Sequence, residues 1–153
     1  MSVPTHPGGA GARPDHDGPA LIFVGDGDTR NTPAEVIEAR YPIRVERHAL
    51  LPSAGGGGRR RGGPGVARDF RILEPGVQMQ YTVENTFDPL AKGLEGGEDG
   101  RPGVVVNSGT DRGERPDRPG HGLRALEVGD VLSARSGGGA GYGRESRVGD
   151  GCG

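Results

Sequence analysis

Two glycine-rich runs, at residues 55–65 and 137–143, constrain this chain more than any other feature of its sequence. The chain carries 32 glycines and 13 prolines among its 153 residues, and hydrophobic residues make up only 31%. Little side-chain burial is therefore available to offset the conformational entropy lost on folding. The sequence predicts a thin, loop-rich core that a larger protein surface would cover.

The charge balance and the aromatic content exclude several classes of protein. With 19 basic and 21 acidic residues the net charge is −2, and aromatic residues make up 4%. A nucleic-acid module would present a basic face and stacking rings, so we expect no nucleic-acid partner.

The longest apolar run, residues 20–24, is far shorter than the ~20 residues of a membrane span, so we expect no membrane segment. The first residues show no secretory signal pattern. The single cysteine, Cys152, allows no internal disulfide, and we expect a cytoplasmic protein.

A short helix has the clearest local signal. Thr32 supplies a capping hydroxyl, Pro33 stands at the first helical position, and Glu35 provides a carboxylate in the first turn, which is the pattern of a capping box. The predicted helix ends at Arg40, because the residue before Pro42 is pushed out of helical space. The expected apolar face consists of Val36, Ile37 and Tyr41.

Alternating apolar residues predict β-strands over much of the remaining chain. In the strand predicted at residues 43–51, one side carries Ile43, Val45, Ala49 and Leu51. Residues 66–72 and 77–83 form two further predicted strands. The Pro75-Gly76 turn between them indicates an antiparallel hairpin.

Four more segments predict short strands: residues 21–24, 104–106, 123–128 and 131–134. The last two are joined by Gly129-Asp130 and form either a hairpin or a bent strand. The fold class is therefore predicted to be mainly β (α+β), with antiparallel strands and hairpins, Gly-rich loops and one short helix. The folded region would span residues 20–143, between a disordered lead at 1–19 and a disordered tail at 144–153.

The glycine run at 55–65 is a candidate phosphate-binding loop. Glycines let backbone N–H groups approach an anion, and Arg59 to Arg61 would add positive charge. A nucleotide-binding loop lies between a strand and a helix, whereas residues 66–72 alternate like a strand, and the chain has no Gly-Lys-Ser/Thr sequence. We therefore interpret the run as a connection between strands.

Residues that could carry catalysis or bind a metal are scattered along the sequence. His6 and His16 lie in the expected lead, His48 on the polar side of a strand, and His121 in a Pro/Gly-rich loop, whereas a metal site needs ligands fixed on neighbouring elements. No Ser lies in a Gly-x-Ser-x-Gly elbow, and Cys152 has no adjacent base. We predict no catalytic residue and no metal ligand in this chain.

Two carboxylates of the predicted helix allow either a structural or a functional interpretation. Capping explains Glu35, and Glu38 lies nearly one turn later, close to the same helical face. Together they could present carboxylates to a pocket, with Asn31 beside them.

Taken in order, several motifs resemble the C-terminal part of the hydantoinase B/5-oxoprolinase family. The resemblance covers about residues 21–143, and residues 1–19 stand outside it. The matching pieces are Asn31-Thr32-Pro33-x-Glu35-x-x-Glu38, Tyr41-Pro42-Ile43-Arg44-Val45-Glu46-Arg47, the glycine run from Ser53 to Arg68, Gly93-Leu94-x-Gly96-Gly97, Gly129-Asp130 and Gly137-Gly138-Gly139-x-Gly141-Tyr142-Gly143.

The resemblance implies an ATP-dependent system that opens cyclic amides such as hydantoins or 5-oxoproline. In the family a companion hydantoinase A-type subunit handles ATP, and B-type subunits are several times longer than this chain. The implied partners are therefore a hydantoinase A-type subunit and the missing N-terminal part of the B-type protein. ATP and a divalent metal are expected in the full complex, and neither is expected to be bound by this chain.

The leading hypothesis is a fragment or small subunit of such a hydrolase that supplies scaffold and pocket wall. The residues expected to reach substrate are Asn31, Glu35, Arg59 and Arg61, because amide, carboxylate and guanidinium groups can hold a polar ring or a phosphorylated intermediate. One alternative is a non-catalytic assembly subunit of a ketone carboxylase-like complex. Another is a truncated product without function.

Overall fold

A computed structural model describes residues 7–22, 32–82, 91–109, 113–116 and 121–145. Most of its regular structure is antiparallel β, with one short helix, which confirms the mainly β (α+β) class. The elements are α1 (Ala34–Arg40), β1 (Ile43–Leu51), a 3-10 turn (Pro52–Ala54), β2 (Gly65–Ile72), β3 (Gln78–Thr82), β4 (Val104–Gly109), β5 (Gly113–Pro116), β6 (His121–Ala125) and β7 (Val131–Arg135). Within the described residues, no helix has the length and apolar character needed to cross a bilayer.

The strands form two sheets that share one hydrophobic cluster. The larger sheet has the order β1-β2-β7-β4-β5, and β3 pairs with β6 in a two-stranded sheet. The cluster joins side chains of both sheets and of α1, namely Ile37, Ile43, Phe70, Ile72, Val77, Met79, Tyr81, Val105, Leu126 and Leu132. The strict alternation predicted for residues 77–83 is confirmed over β3, where Met79 and Tyr81 are buried and Gln78 and Gln80 are exposed.

A β-bulge in β1 overturns the prediction of which side chains share a face. Ile43 pairs with Ile72, and Val45 pairs with Phe70, but the register shifts between Val45 and Arg47. An extra residue in one strand of a ladder exchanges the faces of all residues beyond it. His48 and Leu50 therefore lie on the side of Ile43 and Val45, whereas Ala49 and Leu51, which were predicted there, lie on the opposite side.

The predicted hairpins are also wrong, although the strands exist. Instead of pairing with β2 across the Pro75-Gly76 turn, β3 pairs with β6. For residues 123–134 a hairpin and a bent strand were both open, but β7 neither pairs with β6 nor continues it; it lies between β2 and β4 in the larger sheet. In both cases the turn carries the chain from one sheet to the other, and the pairing partner comes from a distant part of the sequence.

The helix ends as predicted but begins differently. The residue before Ala34 that caps α1 is Pro33, and no side chain makes a capping hydrogen bond, so Thr32 does not form the predicted capping box. Of the three residues of the expected apolar face, Ile37 is buried, whereas Val36 is 37% exposed and Tyr41 is 42% exposed.

The glycine-rich segments pack against one another instead of serving only as connections. We call this assembly the glycine bundle, and it comprises residues 8–19, 53–65, 91–101 and 136–143. Its backbone hydrogen bonds recur at steps of three residues, as in Gly9 N to Gly137 O (3.1 Å), Ala12 N to Ala140 O (2.8 Å), Gly138 N to Arg101 O (3.0 Å) and Gly141 N to Glu98 O (2.8 Å). A step of three is the period of an extended threefold helix, not the period of two of a β-ladder.

Close backbone approach explains why these positions are glycine. A Cβ atom on Gly139 would stand 1.7 Å from the carbonyl oxygen of Ala10, and one on Gly62 would stand 1.9 Å from that of Gly139. No side chain fits at such distances. The high glycine content was predicted to form loops. In the structure it forms a second packed region, beside the hydrophobic cluster, in which backbone packs against backbone.

Residues 7–19 belong to this packed region, contrary to the expected disordered lead. Gly18 N donates to Arg61 O (2.8 Å), and Gly63 N donates to Ala10 O (2.8 Å). Of the strand predicted at residues 21–24, Ile22 forms a single bridge with Gly8, and residues 23–24 lie outside the described part. The expected tail at 144–153 is described only at residues 144–145.

Candidate functional site

Arg68 is the most unusual side chain of the larger sheet. It lies on β2, next to the central strand of the sheet, and is 1% exposed. Its Nη2 donates to the carbonyl oxygen of Thr32 (3.3 Å). Among the described residues, Nε and Nη1 are buried without a hydrogen-bond partner. A buried charge of this kind is costly unless it is paired.

The neighbours of Arg68 on its face of the sheet are an imidazole and apolar groups. His48 of β1 lies directly opposite Arg68 on one side, and Ala134 of β7 on the other. The guanidinium carbon stands 5.4 Å from the centre of the Phe70 ring, which gives the cation a partial cation–π contact. Burial lowers the pKa of the Arg68 guanidinium below its usual value.

His48 responds electrostatically to this arrangement. Loss of hydration lowers the pKa of its imidazole below the ordinary value, and the positive charge of Arg68 lowers it further. The neutral imidazole is therefore favoured at neutral pH.

Asn107 adds a second polar group to the same face. It pairs with Leu132 of β7, which pairs with Phe70 of β2, so all three share the face that carries Arg68. Within the part of the chain that the structure describes, Oδ1 of Asn107 is buried and accepts no hydrogen bond. This face therefore holds unpaired donors on Arg68 and an unpaired acceptor on Asn107.

The residues predicted to reach substrate do not form one site in the structure. Asn31 lies outside the described residues, and Glu35 is exposed on α1. Arg59 is exposed on the glycine bundle, where its guanidinium carbon stands 5.9 Å from the centre of the Tyr142 ring. Arg61 is also exposed on the bundle, and its backbone N–H donates to the Asp17 carboxylate (3.0 Å).

Arg59 and Arg61 thus share one region, and Glu35 belongs to another. Within the described ranges, no hydrogen bond or ion pair joins Glu35 to either arginine. Glu38, the other carboxylate of the helix, accepts a hydrogen bond from the backbone N–H of Val45 (2.8 Å). Glu38 therefore ties the helix to β1 at the start of the bulge.

Most amides of the glycine run at 55–65 are bonded within the protein and are not available to a phosphate. Gly56 N donates to Gly139 O (2.9 Å), Gly62 N to Gly56 O (2.9 Å) and Gly63 N to Ala10 O (2.8 Å). These N–H groups are already used to hold the bundle together. As for metals, no three His, Cys, Asp or Glu side chains in the described ranges are grouped so that they could hold an ion.

Sequence reasoning missed Arg68, although a signal was present. Residues 66, 70 and 72 are predicted on the buried face of the second strand, and with a period of two the same face includes position 68. A charged residue at an inward position is rare unless it has a partner or a function. The burial of Arg68 was therefore available from the alternation alone.

Comparison with known proteins places this chain in a family. The family model described as hydantoinase B/oxoprolinase matches residues 1–145. The chain belongs to the hydantoinase B/oxoprolinase family. The match includes residues 1–19, which the motifs alone had left outside the resemblance.

Curated relatives of this hydantoinase B/oxoprolinase chain are much longer. This chain is 31% identical over 136 residues to 5-oxoprolinase 1 of Arabidopsis thaliana, and the alignment covers 89% of this chain and 10% of that protein. It is 31% identical over 148 residues to 5-oxoprolinase PfmaA of Pestalotiopsis fici, with 94% of this chain and 11% of that protein covered. It is 32% identical over 105 residues to 5-oxoprolinase of Dictyostelium discoideum, with 67% of this chain and 8% of that protein covered. This chain therefore spans about a tenth of the length of these oxoprolinases.

Two solved structures share the fold of this family member. The ATP-dependent caprolactamase from Pseudomonas jessenii superimposes with a TM-score of 0.70 at 23% identity, over 90% of this chain and 24% of that one. Nucleotide-free acetone carboxylase gives a TM-score of 0.65 at 19% identity, over 90% of this chain and 23% of that one. At these identities the likeness establishes the fold and nothing finer.

Proposed function

We propose that this chain supplies scaffold and pocket wall to the B-type part of an ATP-dependent cyclic-amide hydrolase. The observation that carries the proposal is the match to two 5-oxoprolinases over 89% and 94% of this chain, against 10% and 11% of theirs. A segment of that size provides a small part of the machinery, so activity requires the remaining parts. The partners in this proposal are the rest of the B-type protein and a hydantoinase A-type subunit, in the cytoplasm.

The bonded amides of the glycine bundle support a structural role for the glycine runs. They favour a division of labour in which ATP is handled by the A-type subunit. In this proposal the divalent metal of the complex, like ATP, is bound by other parts of it. Phosphorylation of the amide oxygen would make the ring carbon electrophilic toward water. This chain would hold the wall of the pocket in which that step occurs.

Four residues are proposed to contact the substrate: Asn31, Glu35, Arg59 and Arg61. The exposure of both Arg59 and Arg61 on the glycine bundle supports their part in this proposal. Guanidinium groups pair well with anionic oxygens. Glu35, on the exposed side of α1, would contribute a carboxylate from a different element.

Reconstitution tests the proposal. The chain is mixed with the remainder of the B-type protein and the A-type subunit, and ATP-dependent ring opening of 5-oxoproline is measured. We expect activity only when this chain is present. Full activity without this chain would refute the scaffold role, and activity from this chain alone would refute its dependence on partners.

The same reconstitution separates the four residues from the scaffold. We expect N31A, E35Q, R59Q and R61Q each to lower kcat/KM at least about tenfold, while R44Q, an exposed arginine on β1, serves as the matched control. Ring opening unaffected by all four changes would remove these residues from the pocket. ATP-dependent carboxylation of acetone in place of ring opening would favour the ketone carboxylase-like alternative.

A further inference from the structure

We propose that Arg68 forms the base of a binding site for a small oxyanion, a carboxylate or a phosphate group, on the inner face of the larger sheet. This site is independent of the proposed scaffold role. It involves none of the four residues assigned to substrate above.

The first argument is the unmet hydrogen bonding of the guanidinium. Arg68 is 1% exposed, and its single hydrogen bond among the described residues is to the Thr32 carbonyl, at the long distance of 3.3 Å. Nε and Nη1 remain buried and unpaired there. Guanidinium N–H groups match oxyanions in geometry as well as in charge.

The second argument is that no carboxylate among the described residues pairs with Arg68. The side chains on either side of Arg68 in the sheet are His48 and Ala134, and the ring that its guanidinium faces is Phe70. The carboxylates on β1 and β2 are used on the opposite side, where Asp69 pairs with Arg47 (2.7 Å) and Glu46 pairs with Arg71. An anion from outside this set would supply the missing charge.

The third argument is that the site has a route of access from the edge of the sheet. His48, directly opposite Arg68, is exposed on the edge strand β1. A small ligand would therefore enter from the edge of the sheet beside His48.

The thermal unfolding midpoint of the full chain, with and without anion, tests the proposal. Sodium acetate and sodium phosphate at ~100 mM are compared with sodium chloride at equal ionic strength. We expect one or both oxyanions to raise the midpoint by about 3 °C over chloride. The gain should be lost in R68Q and retained in R44Q, which removes an exposed charge from β1. A response to acetate alone identifies a carboxylate site, and a response to phosphate alone identifies a phosphate site.

A measurement on the unmodified chain covers the case in which R68Q does not fold. The Nε–H signal of Arg68 in a ¹⁵N-correlated NMR spectrum should shift in a saturable way with the same oxyanion and not with chloride. An equal midpoint gain in wild type and R68Q would overturn the proposal. So would an Arg68 signal that does not move, whatever the midpoint does, because non-specific exclusion of salts stabilises proteins without binding.

Discussion

His48 and Arg68 lie directly opposite each other on two antiparallel strands, and the bulge in β1 is what brings them to the same face. Without the extra residue, the alternation along β1 would direct His48 away from Arg68. The bulge therefore creates the electrostatic coupling of this pair.

This coupling predicts a pH dependence of stability. The pKa of His48 is lowered in the folded state, first by loss of hydration and then by Arg68, whereas in the unfolded chain it is near 6.5. Below about 6.5 the unfolded state binds more protons, so stability falls as the pH is lowered through this window. We expect H48Q to lose less unfolding free energy than wild type between pH 7.5 and pH 5.0, measured by urea denaturation. NMR titration should show the pKa of His48 rising partly toward its ordinary value in R68Q, and an unchanged pKa would contradict the coupling.

The glycine bundle predicts an extreme sensitivity to a single methyl group. A Cβ on Gly139 would overlap the backbone of Ala10 at 1.7 Å, whereas one on Gly11 finds its nearest neighbour at 3.9 Å. We expect G139A to destabilise the chain by about 3 kcal/mol or more, since backbone atoms cannot move aside independently. G11A should change stability by at most about 0.5 kcal/mol. Urea denaturation measures both, and similar values for the two variants would argue against the packed bundle.

The hydrogen bond between Glu38 and the Val45 amide predicts a stabilising role for this carboxylate. We expect E38A to lower the free energy of unfolding by about 1 kcal/mol, because the Val45 amide loses its charged acceptor. The loss is no larger because water can reach the exposed amide and replace the lost acceptor. The matched change E35A, one turn earlier on the same helix, should cost less than about 0.5 kcal/mol. Chemical denaturation of the two variants gives the comparison, and an equal cost would contradict the assignment.

The absence of a side-chain cap on α1 predicts that Thr32 tolerates replacement. A capping Thr costs about 1 kcal/mol when changed to Ala, but no side chain caps this helix, and Thr32 contributes its carbonyl oxygen to Arg68. We expect T32A to lie within about 0.5 kcal/mol of wild type in thermal or urea denaturation. A loss of about 1 kcal/mol or more would show that Thr32 does cap the helix, as the capping-box prediction had it.

The proposed substrate residues remain predictions, and the structure explains why sequence reasoning could not group them. These residues were chosen for their side-chain chemistry, but in the structure Glu35 lies on α1 and Arg59 and Arg61 lie on the glycine bundle. Arg68, the last residue of the glycine-run motif from Ser53 to Arg68, is the charged residue that the packing buries. Its inward position could be read from the alternation of β2, whereas its unpaired nitrogens depend on which groups the neighbouring strands bring beside it.

Local features were determined by the sequence alone. The end of α1 before Pro42, the strand at β2 and the alternation of β3 follow from backbone geometry and from a side-chain period that a few neighbouring residues define. Only the tertiary structure decided the bulge after Val45, the pairing of β3 with β6 and the packing of the glycine segments. Those features are set by backbone hydrogen bonds between distant segments. Because glycine has no side chain, a run such as 55–65 carries no pattern from which its partners could be read.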